Sequence, residues 1–142
     1  MTARIPFPYT AREAAEWVGS IGSGEFVRGV VRGGELIGAT GYYPGERGAA
    51  EIGYWIGRPW WGQGFATEAA EALIRHTFGA GFRRLTCCHF VDNPRSARVI
   101  EKLGFRVTGS CSAYSEARRR NVAIIRYERT RPFLYGWLKE RA

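Results

Sequence analysis

Between residues 49 and 78 the hydrophobic pattern changes its period, and the whole change is made across one short turn. "AAEIGYWIG" (49–57) alternates apolar residues with small or polar ones, the period of a half-buried strand. Beyond the turn the apolar positions recur as Ala66, Ala69, Ala70, Leu73, Thr77 and Phe78. Glu68, Glu71 and Arg75 fall on other faces, so this is an amphipathic helix. "GAG" (79–81) stops the helix, and "RRLTCCHFV" (83–91) reads as a second strand. Strand, helix and strand in that order, with little chain between them, put the two strands parallel in one sheet.

The remainder builds outward from that unit. Thr10, with Glu13 three residues on, forms a capping-box pattern that predicts a short helix over 10–18. "EFVRGVV" and "LIGATGYY" alternate on either side of "RGGE" (32–35), which predicts a hairpin with a Gly-Gly turn. In "DNPRSARVIEKLG" Asn93 caps a helix, Pro94 takes its first position and Gly104 ends it. Two more strands are expected around 105–110 and 121–129, with a loop between them. The expected fold is α+β, a mixed central sheet with antiparallel strands first and then a parallel pair, flanked by helices, in a single domain over 1–142.

Composition narrows the partners. A chain of 142 residues, 45% hydrophobic and 14% aromatic, carries enough apolar surface for one core. Its net charge is +8, and nearly all of its basic side chains are arginine. That balance favours anionic ligands. The arginines are scattered, except in "EARRRN" (116–121), and form no stripe that would track a nucleic-acid backbone. No stretch approaches the ~20 apolar residues of a membrane span. "MTARIPFPYT" lacks the apolar centre of a secretory leader, so the expected location is cytoplasmic. Cys87 and Cys88 are neighbours on a strand and point to opposite faces. With no CxxC, neither a redox motif nor a metal site is expected.

Gly62 and Gly64 stand where the first parallel strand gives way to the helix. The opening N–H groups of a helix have no partners within it, and the helix dipole adds positive character there. A glycine turn at that point is either a tight connection and nothing more, or a cradle for phosphate oxygens. It is not a Walker loop, since no Gly-Lys-Ser/Thr follows. Nor is it a dinucleotide fingerprint, since Thr67 stands where the third glycine would be.

Two runs taken together go further. "WGQGFATEA" (61–69), and Asn93, Ser96 and Glu101 to Phe105 in "NPRSARVIEKLGF", resemble the GNAT acyltransferase superfamily. Within it they are most similar to the branch of ribosomal-protein N-terminal acetyltransferases, over residues 25 to 129. The resemblance implies transfer of an acetyl group from acetyl-CoA to an amine by direct attack, without a metal. The acceptor would be a protein N-terminus or a small amine. It implies that the CoA pyrophosphate rests on Gly62, Gln63, Gly64, Phe65, Ala66 and Thr67. It also implies that the parallel strands splay, with the pantetheine arm in the gap. The arm would bond main-chain groups near Ile56 and Gly57, with Asn93 on the other side, a role compatible with capping. Glu51 becomes the candidate base for the amine, and Ser96 the candidate group facing the CoA sulfur.

Two positions depart from the family pattern. Trp61 stands where many members carry Gln or Arg, which shifts phosphate binding toward backbone N–H groups. Ile100 stands where many carry a tyrosine that protonates the departing thiolate. Another group must then meet the sulfur, either Ser96 or Tyr114 if the loop after residue 110 folds back. Plainer readings stand beside these. Glu51 is then a solvated strand-end charge and Ser96 a small residue that allows close approach. His89 is a core or rim histidine rather than a base, and Cys87 and Cys88 are packing. Glu68 reads as a first-turn carboxylate favoured by the dipole. The family also begins with one more strand and helix, so the sheet is expected to lack them, and an edge exposed in that way favours pairing with a second copy. Two other classes compete with the enzyme. One is a non-catalytic acyl-CoA binder. The other is a basic RNA- or ribosome-associated module, whose mark would be salt-steep RNA binding.

Overall fold

The computed structural model describes residues 10–132; the expected domain, 1–142, extends past these at both ends. The helix α1 (Ala11–Gly19) comes first. The Glu13 N–H donates to Thr10 Oγ1 at 3.2 Å and the Thr10 N–H donates to the Glu13 carboxylate at 2.7 Å, which closes the capping box. Six strands follow: β1 (Phe26–Arg32), β2 (Glu35–Pro44), β3 (Ala49–Ile56), β4 (Arg84–Phe90), β5 (Arg106–Ser115) and β6 (Arg120–Thr130). Helix α2 (Phe65–Gly79) joins β3 to β4, and α3 (Pro94–Lys102) joins β4 to β5. The strands make one sheet in the order β1-β2-β3-β4-β6-β5. Every neighbouring pair is antiparallel except β3 and β4.

That parallel pair is short. β3 meets β4 only at Ala49, Ala50 and Glu51, opposite Arg84, Leu85 and Thr86. Beyond this seam each strand keeps its other partner. β3 follows β2 as far as Ile56, and β4 follows β6 as far as Phe90. The sheet therefore opens between two strands that are otherwise paired, as the resemblance implied.

The core lies on one face. Ala70, Leu73, Ile74 and Phe78 of α2, with Ile100 and Leu103 at α3, meet Ala50, Ile52, Leu85, Cys87 and Tyr127 of the sheet. Phe78 is 1% exposed, and burying a side chain of that size stabilises by ~1.5–3 kcal/mol relative to leaving it in water. This is the face that the helical spacing of 66–78 predicts. Helix α1 contributes no buried residue.

One expected loop is absent. β5 continues through residue 110 to Ser115, pairing Tyr114 with Asn121 and Ser115 with Arg120 of β6. It is an edge strand whose residues are exposed on both faces from Arg106 to Ser112. A strand that buries neither face needs no alternation, so the period-2 signal is silent there. The "EARRRN" turn that follows is tied down. Arg118 donates to both carboxylate oxygens of Asp92, at 2.7 and 3.0 Å, and its guanidinium lies over the Phe90 ring.

Candidate active site

The opening between β3 and β4 widens into a cleft of about 1550 Å³, lined among others by Tyr54, Ile56, Gly62, Gly64, Asn93 and Ser96. Most small-molecule pockets are ~300–1,000 Å³, so this one suits a long ligand. Main chain forms one wall. The Gly57 N–H donates to Ile37 O at 2.7 Å, and the β2–β3 register runs unbroken from Gly38↔Ile56 to Pro44↔Ala50. Hydrogen-bonded pairs alternate along an antiparallel ladder with pairs whose groups point outward. Ile56 and Tyr54 therefore turn their N–H and C=O groups away from β2, toward the space that β4 has left. Gly57 does not. Its N–H is bound to Ile37 and its C=O accepts from the Trp60 N–H at 3.0 Å. Of the two positions expected beside the pantetheine arm, only Ile56 faces the opening.

The Gly62–Gly64 turn closes one end. Gly62 has φ 76° and Gly64 has φ 87°, the left-handed region that glycine enters without strain. The space that a Cβ would take at either position is open. Gly64 begins α2 with no side-chain cap, and the first bond within the helix runs from the Glu68 N–H to Gly64 O at 3.0 Å. The N–H groups of Phe65, Ala66 and Thr67 thus reach no carbonyl inside the helix, and these residues line the cleft. Such an end suits an anion.

The two tryptophans brace this turn. Trp61 Nε1 donates to Ile56 O at 2.6 Å and pins the turn to the end of β3. Trp60 meets Phe65 edge-on, and the Arg32 guanidinium lies over both rings. Gln63 folds back onto the turn, its Nε2 donating to Pro59 O at 3.3 Å. Across the opening, the Arg95 guanidinium of α3 lies 5.0 Å from the Trp61 ring centre, and Arg95 lines the same cleft as the bare helix end.

Polar side chains line the middle of the cleft. Asn93 Oδ1 accepts from the Ser96 N–H at 3.2 Å, the N-cap that the sequence predicts. Ser96 Oγ lies 3.1 Å from the Tyr54 hydroxyl oxygen. Burial pushes the Tyr54 hydroxyl up to about 12, and the Ser96 hydrogen bond offsets part of that rise. Sequence reasoning missed Tyr54. The signal was present, since the strand period puts it on the face of Ile52 and Ile56 that looks toward the helices. Glu51 falls on the opposite face of β3, exposed, and lines the same cleft.

Other candidates are placed differently. The His89 Nδ1 lies 2.7 Å from Phe90 O, a group that only accepts, so Nδ1 carries the proton. Its Nε2 then accepts from the Tyr127 hydroxyl at 3.0 Å. With both nitrogens engaged and the residue 8% exposed, His89 is a satisfied core histidine. Burial first, then Cys88 and Glu51 nearby, push the Cys87 thiol up, so it stays neutral and unreactive. Tyr114 stands on the edge strand β5, 52% exposed, and is not among the residues lining the cleft. The loop that would have folded it back is strand. Among the described residues no group of three His, Cys, Asp or Glu side chains could hold a metal ion, and no helix is long and apolar enough to cross a membrane.

The fold and the cleft together are those of an acetyltransferase domain. Residues 1–106 match the acetyltransferase (GNAT) domain family, and the chain belongs to it. It is 34% identical over 93 residues to the uncharacterized N-acetyltransferase p20 of Bacillus licheniformis, a match covering 63% of this chain and 52% of that protein. It is 40% identical over 78 residues to the ribosomal-protein-serine acetyltransferase of Escherichia coli (strain K12), covering 53% of this chain and 44% of that protein. Among solved structures, a ribosomal L7/L12 α-N-protein acetyltransferase in complex with coenzyme A superimposes with a TM-score of 0.68 at 25% identity, over 75% of this chain and 62% of that one. The chain spans about half the length of the curated relatives it matches.

Proposed function

We propose that the chain is an N-acetyltransferase that carries an acetyl group from acetyl-CoA to a primary amine by direct attack in a ternary complex. The observation that carries this reading is the meeting, in one cleft, of an uncapped helix N-terminus and a strand edge left without a strand partner. A long ligand with phosphates at one end and amides along its arm matches both. A structural neighbour's complex with coenzyme A supports the choice of cosubstrate. The phosphates sit on the N–H groups of Gly62 to Thr67, with Arg95 as the side-chain cation that Trp61 does not supply. The arm bonds the Ile56 N–H, whose carbonyl is held by Trp61, and lies against Asn93.

The cosubstrate supplies an activated acetyl thioester. The residues of the chain hold it, keep the sulfur beside Ser96 and take a proton from the amine. An amine is mostly protonated at neutral pH and attacks only once that proton is lost, and among the carboxylates lining the cleft Glu51 is the one carried on β3, beside the opening. The ribosomal-protein acetyltransferases among the relatives favour a protein N-terminus as acceptor, with a small amine as the second class. Such a protein works in the cytoplasm, where ribosomal proteins and acetyl-CoA meet.

Calorimetric titration with acetyl-CoA, followed by turnover against a panel of peptide N-termini and small amines, tests the reading. Binding with transfer to at least one amine supports it. Binding without any transfer makes the protein a non-catalytic acyl-CoA binder, and absence of binding removes the cosubstrate from the site.

A further inference from the structure

We infer that Tyr54 is a positioning residue for the departing sulfur, its hydroxyl donating to Ser96 so that the Ser96 hydrogen is aimed at the thiolate. The inference rests on the acetyltransferase reading above. Tyr54 belongs to β3 and Ser96 to α3, the two sides of the opening, and their oxygens are 3.1 Å apart inside the cleft. The serine is held in place by its own N–H, bound to the Asn93 cap. A phenol is the more acidic of the two hydroxyls and the stronger donor, and an alcohol oxygen is the better acceptor. With its oxygen accepting from Tyr54, Ser96 keeps its own hydrogen for a third partner.

During transfer the amine nitrogen bonds to the acetyl carbon and gives its proton to Glu51. The C–S bond breaks and its electron pair moves to sulfur. A donor already aimed at the growing charge lowers the barrier without surrendering a proton. The titration of Tyr54 decides between holding and giving. Its hydroxyl is pushed up to about 12 by burial, whereas an ordinary thiol titrates at about 8.5. A proton would not leave Tyr54 for such a thiolate. The sulfur departs as the anion and is protonated by water afterwards. This arrangement needs no acid at position 100, where Ile100 is 2% exposed in the core.

Tyr54→Phe keeps the ring and its packing, and Ser96→Ala approaches the same pair from α3. Two readouts apply. In the first, the ultraviolet thiolate band of bound CoA is followed against pH, and the bound thiol titrates lower in wild type than in either variant. In the second, Ser96→Ala lowers kcat by ~10–100-fold and Tyr54→Phe by ~3–10-fold, with KM for acetyl-CoA unchanged. The double variant is no slower than Ser96→Ala, because Tyr54 acts only through the serine. Additive losses in the double variant would overturn the inference, as would bound-thiol titration and kcat in Tyr54→Phe equal to those of wild type. If wild type takes up no CoA, the acetyltransferase reading falls and this inference with it. If wild type binds and turns over while Tyr54→Phe matches it, only this inference falls.

Discussion

Gly64 concentrates two demands in one residue. Its φ of 87° excludes a side chain on conformational grounds, and the open space beside it lies before the bare amides of α2. Gly64→Val adds left-handed strain of ~1–2 kcal/mol and sets two methyl groups where phosphate oxygens would approach. Acetyl-CoA at 100 times its dissociation constant should stabilise wild type by ~2.7 kcal/mol, a rise in Tm on the order of 5–10 °C. The valine variant should show no rise, and an equal rise in both proteins would move the phosphates off this turn. Glu51 makes a different prediction, because the proposed role has it meet the amine and not the cosubstrate. Glu51→Gln should lower kcat at neutral pH by ~10²–10⁴-fold with CoA affinity unchanged. An unaltered kcat would return Glu51 to a solvated strand-end charge. His89 is no substitute, since both of its ring nitrogens are already bound.

Among the elements, the connection after β4 and the turn after β5 are joined by Asp92 and Arg118. The Arg118 hydrogen bonds hold the Asp92 carboxyl below its usual range. A carboxyl lowered on folding stabilises the folded state above its unfolded value of about 3.9, and the contribution is lost as pH falls through the folded value. Asp92→Asn should therefore be less stable than wild type at neutral pH, and the gap should close on acidification below about pH 4. A gap that persists in strong acid would trace to packing rather than to charge. The same pair shows what could be read in advance. Capping and helix period are local rules, so α1, α2 and α3 were legible with their caps at Thr10 and Asn93. The Gly turn and the parallel strands beside it were legible for the same reason. The Asp92–Arg118 and Tyr54–Ser96 contacts join residues 26 and 42 positions apart, and no local pattern announces such pairs. β5 was cut short because a strand exposed on both faces carries no alternation. Tyr114 was a candidate only through that error.

Over the whole molecule, a net charge of +8 does not amount to a polyanion track. Arg28, Arg32, Arg118 and Arg129 lie over aromatic rings, and Arg84 lies 3.7 Å from Glu128. Their charges are spent on local contacts around the fold. The larger consequence comes from the three-residue seam between β3 and β4. It divides the sheet into two fully paired triplets of strands. Helix α2 lies on β2 and β3, and α3 meets both β4 and α2, so the helices carry part of the contact between the halves. A ligand lying along the seam would splint the two halves. The amides of Tyr54 and Ile56 should exchange quickly with deuterated water in the free protein and slow markedly with acetyl-CoA, while those in the middle of the β1–β2 hairpin stay unchanged. Equal slowing everywhere would point to general stabilisation instead. A protein splinted by its own substrate is loosest when that substrate is scarce. Its lifetime against proteases would then follow the acetyl-CoA supply of the cell, so that abundance as well as rate would report on metabolism.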